Sequence, residues 1–303
     1  MIGAALAPMR LAANPVPRFY SGGPRIARFR GVPVDGPEDW IGSTTTVFGE
    51  ETLGLSVLED GRTLRDAVAE DPEGFLGPEH VARFGADTML LVKLLDAGER
   101  LPVHYHPDDD FARRRSFAHG KTEAWLIVEA KPGAVVWLGF RDEIDRDALR
   151  DRLDREELLE LLNERPVAAG DYVFVPAGVP HAIGEGILIV ELQQPSDLSV
   201  LLEWSAFGLE GGLELDPELE AIDSRAFRAP ENPATDAFFR AERRGAGSLD
   251  PGFSVVVVLD GRGRLGDFEL ARGDTVLLPY AAGRTELSGD LEIVRCRPPR
   301  GGR

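Results

Sequence analysis

Cysteine is nearly absent from this 303-residue chain: Cys296 stands alone, so no disulfide can form within it. Stability must come from a buried core, which a chain of this length can supply, and the missing disulfides fit a reducing compartment. Positive charge is also scarce. With 34 basic against 52 acidic side chains the net charge is −18, which argues against nucleic acid or an anionic membrane surface as the main partner. No apolar run approaches the roughly 20 residues of a membrane helix. The opening MIGAALAPMRLAANPVPRF has an apolar stretch broken by Pro8 and no basic residue ahead of it, so it reads as a short tail rather than a signal peptide. These absences point to a cytoplasmic protein. Histidine is sparse too, at five residues, yet three of the five fall within Leu101–Trp125, LPVHYHPDDDFARRRSFAHGKTEAW.

Hydrophobic content of 43% and charged content of 28% are ordinary for a globular chain. From Phe19 to Gly54 the Gly, Pro and Thr content predicts short strands and turns. Thr63–Phe84 has helical spacing, with Thr63 as N-cap and Pro72 as a break. Thr88–Ala97, Glu123–Val128, Ala134–Gly139, DYVFVP and Gly186–Leu192 are apolar runs of strand length. Between them lie a polar loop over Asp108–Gly120 and a segment, Arg141–Arg165, whose leucines recur at helical spacing. Asp154 followed by Glu157 resembles an N-cap that splits this segment into two helices. Phe207–Gly247 is weakly patterned and reads as a linker and docking surface. Gly273–Pro279, GDTVLLP, repeats the spacing of Gly170–Pro176, GDYVFVP, which suggests two copies of one β-unit. Where the first copy continues to His181, the second has Arg284.

On a strand, residues i and i+2 share a face, so His104 and His106 present two imidazoles to one spot. Gly170–Gly184, GDYVFVPAGVPHAIG, ends its G-x5-P-x-G-x2-H spacing on His181. Three imidazoles from His104, His106 and His181, with the Glu123 carboxylate, form a plausible shell for a divalent metal. His80 and His119 are read as ordinary surface or satisfied histidines. Glu191 is an acid inside the apolar run ILIVEL, an uncommon placement that favours a pocket.

These two histidine patterns are the sequence motifs of the cupin superfamily. The chain further resembles the bacterial class of type I mannose-6-phosphate isomerases along most of its length. The matching pieces are YSGGPRI, LLVKLLDAGERLPVHYHPDD, GKTEAWLIV, the helical insert, GDYVFVPAGVPHAIGEGILIVELQQPSD and a C-terminal part without histidine. The match is specific at 101–125 and 170–197 and diffuse elsewhere. The resemblance implies an all-β bicupin, two β-barrel or jelly-roll domains with a helical insertion. Residues 1–205 form the metal-binding cupin domain, with the insertion near 141–165. Residues 206–303 form a linker and a second, metal-free cupin domain.

By the same resemblance the protein is a zinc-dependent aldose–ketose isomerase of carbohydrate metabolism. It interconverts mannose 6-phosphate and fructose 6-phosphate through a cis-enediol. His106, Glu123 and His181 fall on family metal ligands, Lys121 on the family's active-site lysine, and Glu191 and Asp197 on acids of its catalytic pocket. The expected partner is a sugar or sugar phosphate, and the expected state a monomer or homodimer. Three positions depart from the family: His104 replaces a metal-binding glutamine, Pro102 a serine, and Leu201 an arginine. Losing the serine and arginine removes groups expected to handle phosphate or developing charge, for which Arg113–Arg115 are the nearby candidates to compensate. Three histidines and one glutamate also suit manganese, iron or nickel. The alternatives are therefore a manganese- or iron-dependent cupin oxidase or dioxygenase, and a non-catalytic sugar-binding cupin.

Overall fold

The computed structural model describes residues 6–154, 157–204, 207–208, 219–231 and 233–300, and these build three antiparallel sheets with a few short helices. The first sheet has six strands in the order Pro15–Val16, Glu38–Ile41, Leu91–Ala97, Ile187–Gln193, Glu123–Ala130 and Tyr172–Val175. The second has five: Val200–Leu201, His104–Tyr105, His181–Ile183, Val135–Phe140 and Leu162–Pro166. The third is C-terminal apart from Met9–Arg10, which pairs with Thr275–Leu278; its long strands are Ser254–Leu265 and Thr285–Arg297. Among the described residues no helix is long and apolar enough to cross a membrane.

The first sheet lies in the middle, and this explains its sequence. Leu188, Val190 and Leu192 pack toward Val255, Val257, Leu277 and Val294 of the third sheet. Their neighbours Ile187 and Ile189 pack with Trp125, Ile127, Val136, Leu138 and Ile183 between the first and second sheets. Because both faces are covered, Ile187–Gln193 and Leu91–Ala97 are buried throughout and show no polar alternation. Each large side chain so buried contributes roughly 1.5–3 kcal/mol. Side-chain alternation then puts Glu191, two residues from Ile189, on the face that looks toward the second sheet.

Local signals account for the helices. The Thr63 hydroxyl accepts from the Asp66 amide and starts Leu64–Glu70, and Pro72 and Pro78 each open a further short helix. Gly170 and Gly273 of the repeated motif have φ of +94° and +89°, and a Cβ at Gly273 would lie 1.8 Å from the Phe29 carbonyl oxygen.

Four expectations need correction. Within Phe19–Gly54, read as short strands and turns, Arg25–Arg30 is a six-residue helix that buries Ile26 and Phe29 and stops at Gly31 with φ of +67°; the flanking Gly and Pro content hid so short a helix. The segment Asp108–Gly120 contains a helix, Asp109–Arg114, capped by the Asp108 carboxylate, which accepts from the Phe111 amide at 2.8 Å. Acids in its first turn and arginines in its last match the helix dipole, a signal outweighed by the segment's overall polarity. In 141–165 the helix covers only Arg146–Asp154. Leu159–Leu161 is a 3-10 turn, and Leu162–Pro166 is a strand pairing with Val135–Phe140. The spaced leucines were misleading because Leu149, Leu153, Leu158 and Leu162 share one core although only two of them are helical. The proposed cap at Asp154 rests on a side chain outside the described residues. Within 207–247, Arg240–Arg244 is a strand on Thr285–Arg297, not linker; all its side chains but Ala241 are charged, so apolar patterning missed it.

Candidate metal centre

The second sheet supplies the imidazoles. His104 lies directly opposite His181 in the strand pairing, and His106 follows one residue beyond the short His104–Tyr105 strand. The ring centroids are 4.2 Å apart for His104–His181 and 5.0 Å for each ring to His106. Each ring is oriented by the backbone. Nδ1 of His104 meets the Pro102 carbonyl at 2.9 Å, and Nδ1 of His181 the Val179 carbonyl at 2.9 Å. Nδ1 of His106 meets the Leu198 carbonyl at 3.0 Å and Ser199 Oγ at 3.1 Å. With Nδ1–H donating, each neutral ring presents the lone pair of Nε2. Burial holds all three below the usual imidazole range, aided at His104 by the other two rings, and His106 falls to about 3.

The first sheet supplies the carboxylate. Glu123 opens its strand with Oε2 3.2 Å from His106 Nε2 and Oε1 3.3 Å from His181 Nε2. Trp125 Nε1 donates to Oε1 at 3.0 Å. The Nε2 atoms of His106 and His181 are buried and have no hydrogen-bond partner. Buried polar atoms are rarely left so, and here the orphans converge. The ligand atoms of His104, His106 and His181 lie within 4.8 Å of one another and can hold a metal ion. Three neutral imidazoles beside a carboxylate fit a borderline divalent cation.

A charged wall adjoins these groups. Lys121 Nζ is 3.0 Å from Glu123 Oε2 and 3.7 Å from Glu191 Oε1. Gly120 sets this lysine against the capped helix: its Cβ would lie 2.3 Å from the Asp108 carbonyl carbon, and its amide donates to Asp109. Burial opposes the charge on Lys121, but Glu123 and Glu191 win and raise its pKa. Glu123 behaves in the same way, held well below the usual range by Lys121 and the histidines despite burial. Glu191 goes in the opposite direction. Burial and the Glu123 charge push it to about 8, so neighbouring carboxyls differ in protonation at neutral pH.

Lys121, Glu191, His104 and Glu123 line a small cavity of about 50 Å³ together with Pro102 and Leu201. Asp197 is elsewhere, in a bidentate pair with Arg18 at 2.9 and 3.0 Å, on the wall of a wider vestibule of about 760 Å³. The two spaces share Arg18, Phe19, Ser199 and Leu201, so one opens into the other. His80 and His119 are both held by Asp87, each at 2.6 Å, away from the other three histidines.

Four ionisable cavity residues escaped the sequence reading: Arg18, Tyr20, Glu38 and Lys93. The rule that singled out Glu191 applies equally to Lys93 in TMLLVKLLDA; nothing local marks the other three. Glu38 is almost fully buried, accepts from Tyr20 Oη and from Trp40 Nε1 at 2.6 Å, and lies 3.3 Å from Lys93 Nζ. Burial alone would raise its pKa, but Lys93, Arg18 and these donors lower it from 4.5 to about 2. Its folded pKa is depressed, so its contribution is complete above about pH 4.5 and is lost as pH falls toward 2. The loss amounts to about 3 kcal/mol. Urea unfolding between these pH values should show this decline in the wild type and a shallower one in Glu38→Gln; parallel curves would remove Glu38 as its source.

Fold and site together define a mostly-β protein that gathers imidazoles, a carboxylate and a lysine into a metal-type catalytic pocket. The chain matches no family model. It is 31% identical over 274 residues, 80% of this chain and 84% of the relative, to the mannose-6-phosphate isomerase of Streptococcus mutans. The chain belongs to the mannose-6-phosphate isomerase family. The crystal structure of the Bacillus subtilis mannose 6-phosphate isomerase shares the fold, with TM-score 0.77 over 96% of this chain and 100% of that one at 21% identity. So does a mannose 6-phosphate isomerase bound with zinc and yttrium, at TM-score 0.76 and 14% identity over 97% of this chain and all of that one.

Proposed function

We propose that the protein interconverts mannose 6-phosphate and fructose 6-phosphate by proton transfer between C1 and C2 through a cis-enediol. The observation that carries this is the convergence of three imidazoles with Glu123, whose carboxylate lines one small cavity together with His104, Lys121 and Glu191. His104, His106, His181 and Glu123 would hold the ion, with zinc as the reading because a structural relative is bound with zinc. Such an ion, when bound, supplies Lewis-acid polarisation of the sugar's carbonyl and hydroxyl oxygens.

The chain's own groups do the rest. Glu191, whose raised pKa makes its ionised form a stronger base than an ordinary carboxylate, can take a proton from one sugar carbon and return it to the other. Lys121 stays protonated and offsets the negative charge of the enediolate in a site that excludes most water. Arg18 and Arg115 are the cations on the vestibule wall, and they are our choice for the phosphate end of the substrate. The Arg115 guanidinium stacks over Phe111 at 5.0 Å, which limits its freedom before substrate arrives. In this reading Asp197 positions Arg18 and takes no part in the transfer between C1 and C2. Leu201, on the wall of both spaces, leaves room without charge. We read the first two sheets as the metal-bearing cupin unit and the third as a second unit, in which no histidine occurs.

Incubating the protein with mannose 6-phosphate in deuterated water tests this, with free mannose in parallel and elemental analysis of the same sample. Deuterium at C2 with zinc present is expected, and faster exchange on the phosphorylated sugar. Oxygen consumption with iron or manganese, or sugar binding without exchange, would overturn the isomerase reading.

A further inference from the structure

A second polar cavity lies apart from the His104, His106 and His181 cluster, in a groove of about 620 Å³ between the Pro78–Phe84 helix, which puts His80 on its wall, and the third sheet. It shares no lining residue with the metal centre or its vestibule. Its walls carry Arg83 from the helix, Arg240 and Arg297 from two paired strands, and Arg300 just beyond them. Among the described residues only one carboxylate, Glu79, lines it.

Four guanidinium groups around one space are unexpected in a chain of net charge −18. Carboxylates behind the wall answer part of the charge: Asp250 pairs with Arg297 at 2.9 Å, and Asp236 lies 3.4 Å from Arg300. Arg240 is less well matched, 3.8 Å from Glu242, which also serves Arg297 at 3.6 Å. Arg297 is only 7% exposed, yet its Nε–H has no acceptor. A buried, unsatisfied guanidinium donor costs stability unless an anion meets it. Burial and the neighbouring Arg297 and Arg300 bring Arg240 down to about 10, as this crowding of cations requires.

We propose that this groove is a binding site for a small phosphate-bearing anion held by Arg240, Arg297 and Arg300, with Arg83 on the opposite wall. Arginine suits the task because its planar donors match phosphate oxygens two at a time. The overall negative charge favours a small ligand over a polyanion such as a nucleic acid, whose length would carry it into repulsive surface. An occupant touching both walls would tie the helical segment to the third sheet and stabilise their docking by ligand linkage.

Isothermal titration of the full-length protein with inorganic pyrophosphate tests the site. Saturable binding with Kd below about 1 mM is expected in the wild type. The double variant Arg240→Gln, Arg300→Gln should weaken it by at least about tenfold while leaving metal content and isomerisation unchanged. Both substitutions fall at groove-wall positions outside the Arg297–Asp250 pair, which keeps the sheet intact. No saturable binding, or equal affinity in wild type and double variant, would overturn the proposal. This outcome is independent of the isomerase reading, which the deuterium experiment decides.

Discussion

Replacing His181 by alanine is expected to strip the protein of stoichiometric metal and to lower turnover by at least about a thousandfold. His181 is fully buried and its ring is fixed twice, by the Val179 carbonyl at Nδ1 and by edge contact with Trp125 at 5.5 Å. Its Nε2 has no other task in the described structure, since no donor or acceptor satisfies it. The same holds for His106, so His106→Ala should behave alike. Each deletion leaves a cavity beside Trp125 or Glu123, and a destabilisation of about 2–3 kcal/mol accompanies it. Circular dichroism and a thermal melt separate that cost from the loss of metal. Elemental analysis reads the result directly. Full metal content retained in both variants would sink the proposed ligand set.

Lys121→Ala is expected to do the opposite: keep the metal and lose the chemistry. The lysine is no imidazole neighbour's support, for each ring is oriented by backbone carbonyls or Ser199. What it supplies is a positive charge 3.0 Å from Glu123 and 3.7 Å from Glu191, on the wall of the cavity. Charge that develops on the sugar oxygens during enolisation meets that cation in a low-dielectric space. Its removal should lower kcat by about 10²–10³ with KM changed only a few-fold, because the interaction grows in the transition state. Normal turnover in a metal-replete Lys121→Ala protein would remove its catalytic role. A rise in KM with kcat intact would move Lys121 to ground-state binding instead.

These two variants divide the site along the line where sequence and structure divided the information. The metal-type residues were legible because they sit in tight local patterns. The alternation of HYH and the turn-bound GVPH each encode geometry over a few residues, so strand periodicity alone brings two imidazoles to one spot. Glu191 was legible for another local reason, an acid in an apolar run. Thr63 and Pro72 marked helix boundaries for the same kind of reason, since capping and proline act within one turn.

Ion pairs that join distant segments carry no such signature. Arg18 meets Asp197 across 179 residues of chain, and only the pairing of Glu38–Ile41 with Leu91–Ala97 brings Glu38 to Lys93. A sequence reading that placed Asp197 among the acids of the catalytic pocket could not see the Arg18 guanidinium that engages both its oxygens. By itself the sequence determined the imidazole set, which short-range periodicity and spacing express, and the family resemblance, which in turn implied the fold class. Only the tertiary structure decided which charges pair, which face of Ile187–Gln193 carries Glu191 toward the histidines, and where a cluster of arginines encloses a groove. Those depend on sheets packing against one another, and packing joins residues whose separation in the chain is unrelated to their distance in space.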